Sequence, residues 1–306
     1  MVGSMRLTIR VSLLFAAPLL WAQPPQPEVF SPLGRSFLAR PDEKLTVQAA
    51  DLALTRAPDS ADLLLAAARA RDVILRFSES IPLYTRGIDA FPADVRFPRF
   101  RGHRFISIRR FDPAIVDLKL AATLAPASFD VSYHLALAHY LRGDFSHAAR
   151  EYQRCLSMAS EPRPAYLKGM PLDWRSCFGL DDDSRVAVTE WAWRALRRSS
   201  NPAAAAKLLA TIHPKLNVTD NKSYFRTLLL YQGVHSEADI LAPPLDGNAE
   251  PTMLYGVGLW HWLDGRKERA CAAWTRAVSG PNWAAFGFIA AEAELARGLC
   301  KSTKSR

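Results

Sequence analysis

Apolar and small residues recur along most of this chain at intervals of three and four, the spacing that places side chains on one face of an α-helix. Leu64, Ala67 and Ala68 form one such face, and Ile81 and Tyr84 belong to the next. Few segments alternate apolar and polar residues, and no β-branched run bounded by turn residues suggests a strand. The pattern predicts an all-α protein.

Two neighbouring segments, 95–126 and 129–160, carry similar residue types at the same offsets. Gly102, Phe105, Ala114, Leu118, Ala121 and Pro126 correspond to Ala136, His139, Ala148, Tyr152, Cys155 and Ser160. The offset is about 34 residues, the length of a helix–turn–helix repeat. Such units bury their apolar faces against one another, so stacked copies form a solenoid.

These residues resemble the tetratricopeptide repeat (TPR) pattern of small, large and turn positions. The pattern returns near the C-terminus at Leu254, Gly258, His261, Gly265, Ala270, Trp274 and Ala277. The resemblance implies a right-handed α-solenoid of TPR-like helix–turn–helix repeats with a less regular helical middle segment. It also implies a scaffold that binds another protein or peptide.

The chain divides by pattern and composition into six segments. They are a secretory signal (1–22), a Pro-rich leader (23–44), N-terminal TPR-like repeats (45–160), an irregular helical segment of degenerate repeats (161–250), a C-terminal repeat with a capping helix (251–297) and a polar tail (298–306). Within the irregular segment, we expect helices at 184–199, 202–212, 220–233 and 235–242. Acids at 181–183 favour the positive N-terminal end of the first of these helices.

The first 22 residues have the features of an export signal. Arg6 and Arg10 precede an apolar run that ends at Ala22 and is too short to cross a bilayer comfortably. We expect a periplasmic or secreted protein, without stable membrane insertion once the signal is removed. An uncleaved N-terminal membrane anchor is the alternative. Removal takes away two arginines and no acids, so the formal net charge falls from +9 to +7.

Four cysteines, an even count in an exported chain, permit two disulfides in three pairings. The pairs closest in sequence are Cys155 with Cys177 and Cys271 with Cys300. However, Cys155 and Cys271 occupy positions where repeat helices need small buried residues. The alternative that both cysteines are buried free thiols therefore remains open. No cysteine or histidine spacing matches a zinc site, and we expect no metal and no cofactor.

In TPR proteins, the first helices of successive repeats line a concave groove that holds partner peptides. The resemblance implies a groove formed here by Arg69, Arg96, Arg99, His103, Tyr133, Leu137, Tyr140, Tyr255 and Trp262. Arginine forks can bind carboxylates, and tyrosines add flat contact area. The alternative for any one of these residues is an ordinary solvated helix face. The sequence does not identify the partner.

We expect no enzymatic activity and assign no catalytic residue. His134 and His139 are five apart, not the four that places two ligands on one helical face, and no P-loop or dinucleotide motif occurs.

The interleaved arginines and aromatics of 96–110 are typical of proteins that bind single-stranded nucleic acid. However, the aromatics lie at offsets that face the core, so we expect no specific nucleic-acid partner. Two alternatives stay open: a structural or assembly component of an envelope complex, with a homo-oligomer included, and an enzyme whose site lies in 161–250.

Overall fold

A computed structural model describes residues 26–167, 175–243, 245 and 247–301. The signal assigned to 1–22 and most of the polar tail lie outside these residues. Within them, the helices are α1 (Thr46–Arg56), α2 (Ala61–Val73), α3 (Phe77–Ala90), α4 (Arg96–Ser107), α5 (Phe111–Leu124), α6 (Phe129–Arg142), α7 (Phe145–Met158), α8 (Asp182–Arg198), α9 (Pro202–Leu209), α10 (Lys222–Tyr231), α11 (Glu237–Ile240), α12 (Ala249–Leu263), α13 (Lys267–Ala277) and α14 (Phe286–Ala296). None of these helices is long and apolar enough to span a membrane.

The helices pack in consecutive pairs, and each pair packs on the next. Helix α2 packs on α3, α4 on α5, α6 on α7 and α12 on α13, while α3 contacts α4 and α5 contacts α6. This order of contacts is that of an all-α solenoid, which confirms the predicted fold class. The middle departs from it, because α10 packs on both α8 and α12.

One backbone hydrogen bond recurs at six turns between successive helices and fixes the repeat register. The amides of Arg76, Arg110, Asp144, Asn201, Val234 and Arg266 donate to the carbonyls of Arg71, Phe105, His139, Leu196, Leu229 and His261, respectively. The first three donors lie 34 residues apart, so the offset predicted from the sequence is confirmed. The last three do not keep that spacing, which marks the irregular middle.

The residue before each of these donors has left-handed backbone geometry, as the close of a helix in this motif requires. The φ angles are 62° at Leu75, 64° at Arg109, 98° at Gly143, 60° at Ser200, 76° at Gly233 and 74° at Gly265. Three of the six residues are glycine. The other three have a Cβ that disfavours this conformation.

Small residues lie where helices of a pair cross closely, as the repeat pattern predicts. A Cβ added to Gly258 would lie 2.3 Å from the indole of Trp274, and one added to Gly102 would lie 2.7 Å from Leu118. Ala148 is fully buried at the equivalent crossing of α6 and α7. A larger side chain at these positions would separate the helices.

The helices of the middle segment lie close to their predicted positions but are shorter at most ends. Asp181 caps α8 by accepting the amide of Ser184 at 2.7 Å, as the acids at this point suggested. The carboxylate of Asp183 accepts the amides of Thr219, Asp220 and Asn221 at 2.8–3.1 Å. These bonds hold the loop before α10 in a non-helical path, so that helix begins at Lys222.

The segment before α1 is part of the fold, although its prolines suggested a separate leader. Strands β1 (Val29–Phe30) and β2 (Ser36–Phe37) pair antiparallel. The ring of Phe37 stacks on Trp283 with a centroid distance of 5.5 Å. This hairpin therefore packs against the C-terminal end of the chain.

All four cysteines form disulfides, in the pairing of nearest neighbours along the sequence. Cys155–Cys177 joins α7 to the segment that leads into α8, and Cys271–Cys300 joins α13 to the C-terminal segment. No thiol is free. Cys155 and Cys271 are therefore disulfide-bonded in the structure and are not buried free thiols.

We predict that Ser200→Gly raises the free energy of unfolding by about 1 kcal/mol, because glycine adopts the left-handed conformation without a Cβ clash. Gly265→Ala should lower it by a similar amount, since no atom lies within 4 Å of the added Cβ and only the backbone conformation opposes it. Urea denaturation measures both changes. Equal stability of both variants and the parent would contradict this account of the turns.

Candidate peptide-binding groove

The first helices of the N-terminal pairs, α2, α4 and α6, lie side by side and present a common inner face. Part of that face is covered by the chain itself, because α14 packs on α6. Phe286, in the first turn of α14, contacts His103 and His134 with ring centroids 5.3 and 5.7 Å away. The C-terminal helix thus occupies the centre of the inner face.

Four of the predicted groove residues are consequently buried: Tyr133, Leu137, Tyr140 and Tyr255. The hydroxyls of Tyr140 and Tyr255 are 2.5 Å apart, and Tyr133 donates to Tyr224 at 3.2 Å. The side chains at these repeat positions face the inner side of the helices, as the resemblance implied. However, other helices of the same chain take the place of a partner there.

Trp262 lies apart from the other groove positions. It is partly buried, and its ring centroid is 5.8 Å from that of Trp274 within the C-terminal pair. His103 lies under Phe286, and its Nδ1 is buried without a hydrogen-bond partner. Neither residue belongs to an open aromatic surface.

A buried ion pair attaches α14 to the N-terminal half. The Nε of Arg109 donates to Glu292 at 2.6 Å, and its Nη2 donates to the carbonyl of Trp283 at 2.8 Å. Glu292 also accepts the hydroxyl of Ser31 at 2.5 Å. The two charged side chains are only 7% and 1% exposed. Their additional hydrogen bonds compensate the desolvation that such a pair requires.

A second buried polar group lies between α8, α10 and α12. Glu190 and Arg194 form a fully buried ion pair, and Thr227 and Tyr231 donate to the same carboxylate oxygen of Glu190. Burial raises the pKa of Glu190 to about 7 despite the opposing charge of Arg194. Both side chains are closed off from solvent, so this cluster does not form a substrate site for the enzyme alternative.

One open part of the inner face is a cavity of about 310 Å³, which we call the arginine cavity. Its lining consists of Leu65, Arg69, Val95, Arg96, Arg99, Phe100, Ser128, Asp130, Val131 and Arg175. Three of these, Arg69, Arg96 and Arg99, are predicted groove residues. Arg175 was not predicted, because it follows the irregular joint and reaches the cavity through the bridge between Ser128 and Ser176.

Positive charge exceeds negative charge in the arginine cavity. Arg99 and Arg175 share one carboxylate, that of Asp130, at 3.1 and 2.6 Å. Burial alone would raise the pKa of Asp130, but these two arginines outweigh it and lower the pKa below its ordinary value. Arg96 pairs instead with Asp94 and Asp62.

Arg69 is the cation of the cavity without a carboxylate partner among the described residues. Its guanidinium lies over the ring of Phe100, 4.7 Å from the centroid, and that of Arg99 lies 4.2 Å from the same centroid. Phe100 therefore holds two guanidinium groups in place by cation–π contact. Their remaining N–H donors are available to an anionic group.

A larger cavity of about 790 Å³ adjoins the middle segment. Residues of 219–226 and 245–253 form most of its wall, with 284–286 and His103. The wall is polar, as the enzyme alternative requires, but Asp220 is the one carboxylate on it among the described residues. The part of its wall that the structure describes does not bring together the paired acids or histidines that acid–base catalysis uses.

Comparison with known proteins adds little beyond the general architecture. No family model and no curated protein matches the sequence. Among solved structures, the chain is similar to a tetratricopeptide repeat protein from Parabacteroides merdae (11% identity, 83% of this chain and 90% of that chain, TM-score 0.48). It is also similar to the MamA protein (14%, 65% and 86%, 0.42) and the P58(IPK) TPR domain (14%, 87% and 72%, 0.32). The repeat architecture rests on the turns and hydrogen bonds described above.

We predict that His134 makes the protein less stable as the pH falls. Burial first, and then the charge of Arg99, lower the pKa of His134 to about 3 in the folded protein, whereas an unfolded chain titrates near 6.5. The unfolded state thus binds more protons between those values. Stability is fully present above about pH 6.5 and is lost on acidification by up to about 1.4 kcal/mol per pH unit from this residue.

Chemical denaturation at pH values from 7.5 to 4 (roughly the range over which a free histidine titrates) tests this contribution. His134→Gln keeps an N–H donor for the carbonyl of Asp130, which the imidazole contacts at 2.5 Å. The variant should show a shallower decline of stability with acidity than the parent. Identical slopes in the two proteins would contradict a neutral buried His134.

Proposed function

We propose that this helical-repeat protein is a scaffold that binds an acidic segment of another protein in the arginine cavity. The observation that carries the proposal is the charge arrangement there: two arginines share Asp130, and Arg69 has no carboxylate partner among the residues that the structure describes. A concave site with excess guanidinium groups favours a carboxylate. The arginine cavity is open on the inner face, where three predicted groove residues line it and a partner segment can enter.

The geometry reduces the entropy lost on binding. Arg69 and Arg99 are already held on Phe100, so a ligand does not have to order these long side chains. Leu65, Val95 and Val131 supply apolar walls beside the charges. A peptide with a carboxylate next to an aliphatic side chain fits both parts of the cavity.

The same proposal places the protein outside the reducing compartment of the cell, in the periplasm or secreted. The two disulfides support this location, because such bonds persist in oxidising environments. The charged and apolar character of 1–22 supports it independently. The partner is then another exported protein or peptide.

Selection from a displayed random peptide library on the full chain should enrich sequences with Asp or Glu. For an enriched peptide, we predict that Arg69→Ala weakens binding about 10-fold or more in fluorescence anisotropy, because a charge-assisted hydrogen bond is lost. Arg69 makes no ion pair with any described residue, so the variant should stay folded and lose only the stability that the contact with Phe100 provides.

Arg150→Ala is the matched control, since Arg150 is an exposed arginine on α7 that lines neither cavity. It should bind the peptide as the parent does. The Asn and Gln counterpart of the peptide should bind weakly to all three proteins. Selection of neutral peptides, or equal binding by the parent and Arg69→Ala, would contradict the proposed site.

A further inference from the structure

We infer that the turn between α6 and α7 carries a binding site for a divalent transition-metal ion such as Zn²⁺, formed by His139, Asp144 and His147. This site lies outside the arginine cavity and does not depend on peptide binding. One ligand atom from each of the three side chains lies within 4.8 Å of the others. The three atoms are therefore already gathered at one point of the surface.

Both imidazoles direct the same nitrogen at the carboxylate. The Nδ1 of His139 is 3.3 Å from Oδ2 of Asp144, and the Nδ1 of His147 is 2.7 Å from the same oxygen. The two rings are nearly parallel, with 16° between their planes and centroids 5.1 Å apart. Both imidazole nitrogens thus converge on one carboxylate oxygen.

The backbone of the turn holds this arrangement. Gly143 takes the left-handed conformation, and the amide of Asp144 donates to the carbonyl of His139 at 2.9 Å. Asp144 then caps α7 by accepting the amide of His147 at 3.3 Å. Because the last turn of α6 and the first turn of α7 are joined in this way, the three side chains meet.

The other five turns of the same type provide an internal comparison. At the positions equivalent to His139, Asp144 and His147 they carry Arg71, Arg76 and Glu79; Phe105, Arg110 and Pro113; Leu196, Asn201 and Ala204; Leu229, Val234 and Glu237; and His261, Arg266 and Arg269. None of these sets has three metal donors. The geometry of the turn therefore does not require metal-donor residues at these positions. Metal binding explains why three of them occur together between α6 and α7.

Two imidazole nitrogens and one carboxylate oxygen suit Zn²⁺, Co²⁺, Ni²⁺ or Cu²⁺. Three protein ligands with an open position are typical of accessible metal sites, as distinct from closed structural ones. An ion bound at Nδ1 replaces the hydrogen bonds from the rings to Asp144, and each neutral ring then carries its proton on Nε2.

The surroundings allow an ion to enter. The side chain of His147 is 58% exposed, so the site opens to solvent on that side. Arg142 competes for Asp144 at 3.0 Å, but its other Nη donates to Asp112 at 2.8 Å. When an ion neutralises Asp144, Arg142 keeps that second partner.

Calorimetric titration of the full chain with ZnCl₂, after removal of metal with EDTA, tests the site. We expect one equivalent to bind, and the melting temperature to rise because the ion joins α6 to α7. His147→Ala should weaken binding about 10-fold or more, since it removes a ligand. The exposed position of His147 means that this variant should fold like the parent.

Two further variants separate the site from adventitious binding. Asp144→Asn keeps a side-chain cap for α7 but removes the anionic ligand, so it should also lose affinity. His213→Ala changes an exposed histidine elsewhere and should bind as the parent does. Absence of Zn²⁺ binding by the parent would overturn the inference. So would undiminished binding by both His147→Ala and Asp144→Asn.

Discussion

The ion pair between Arg109 and Glu292 connects the turn between α4 and α5 to the C-terminal helix α14. It is buried, and Ser31 and the carbonyl of Trp283 complete its hydrogen bonds. Removal of one partner from such a pair leaves a buried charge, which typically costs about 3–5 kcal/mol. By holding α14 on the N-terminal half of the chain, this pair contributes to which part of the inner face is filled by the chain and which part stays open to a ligand. The arginine cavity is open because α14 lies beside it and not in it.

Sequence analysis predicts the features of this fold that depend on short-range periodicity. The 34-residue offset, the small residues at Gly102 and Ala148, and the acids that cap α8 all follow from local patterns, and the structure contains them. Each depends on contacts within one helix pair or between neighbouring pairs. The arginine cavity is also predictable in part from the sequence, since Arg69 and Arg99 lie at repeat positions whose side chains face the inner side of the helices.

Contacts between distant segments were not predictable in this way. Ser31 and Glu292 are 261 positions apart, and no periodicity relates them. The C-terminal helix contacts Tyr133 through Phe286, with ring centroids 6.3 Å apart, and both Tyr133 and Leu137, which the resemblance placed in an open groove, are buried. Arg175 enters the cavity from an irregular segment. The His139, Asp144 and His147 cluster had a sequence signal, a spacing of five and three residues across a repeat turn, but a search for one-helix motifs does not detect it.

Hydrogen exchange of the full chain tests the central claim, that α14 is a permanent part of the inner face, most directly. If the account is right, the amides of α14 and α6 exchange with the same protection, because both open only when the whole fold unfolds. Exchange of the α14 amides through a local opening of much lower free energy, while α6 stays protected, would contradict it. The inner face would then be a full-length groove covered by a detachable helix, and the arginine cavity would be only one end of it.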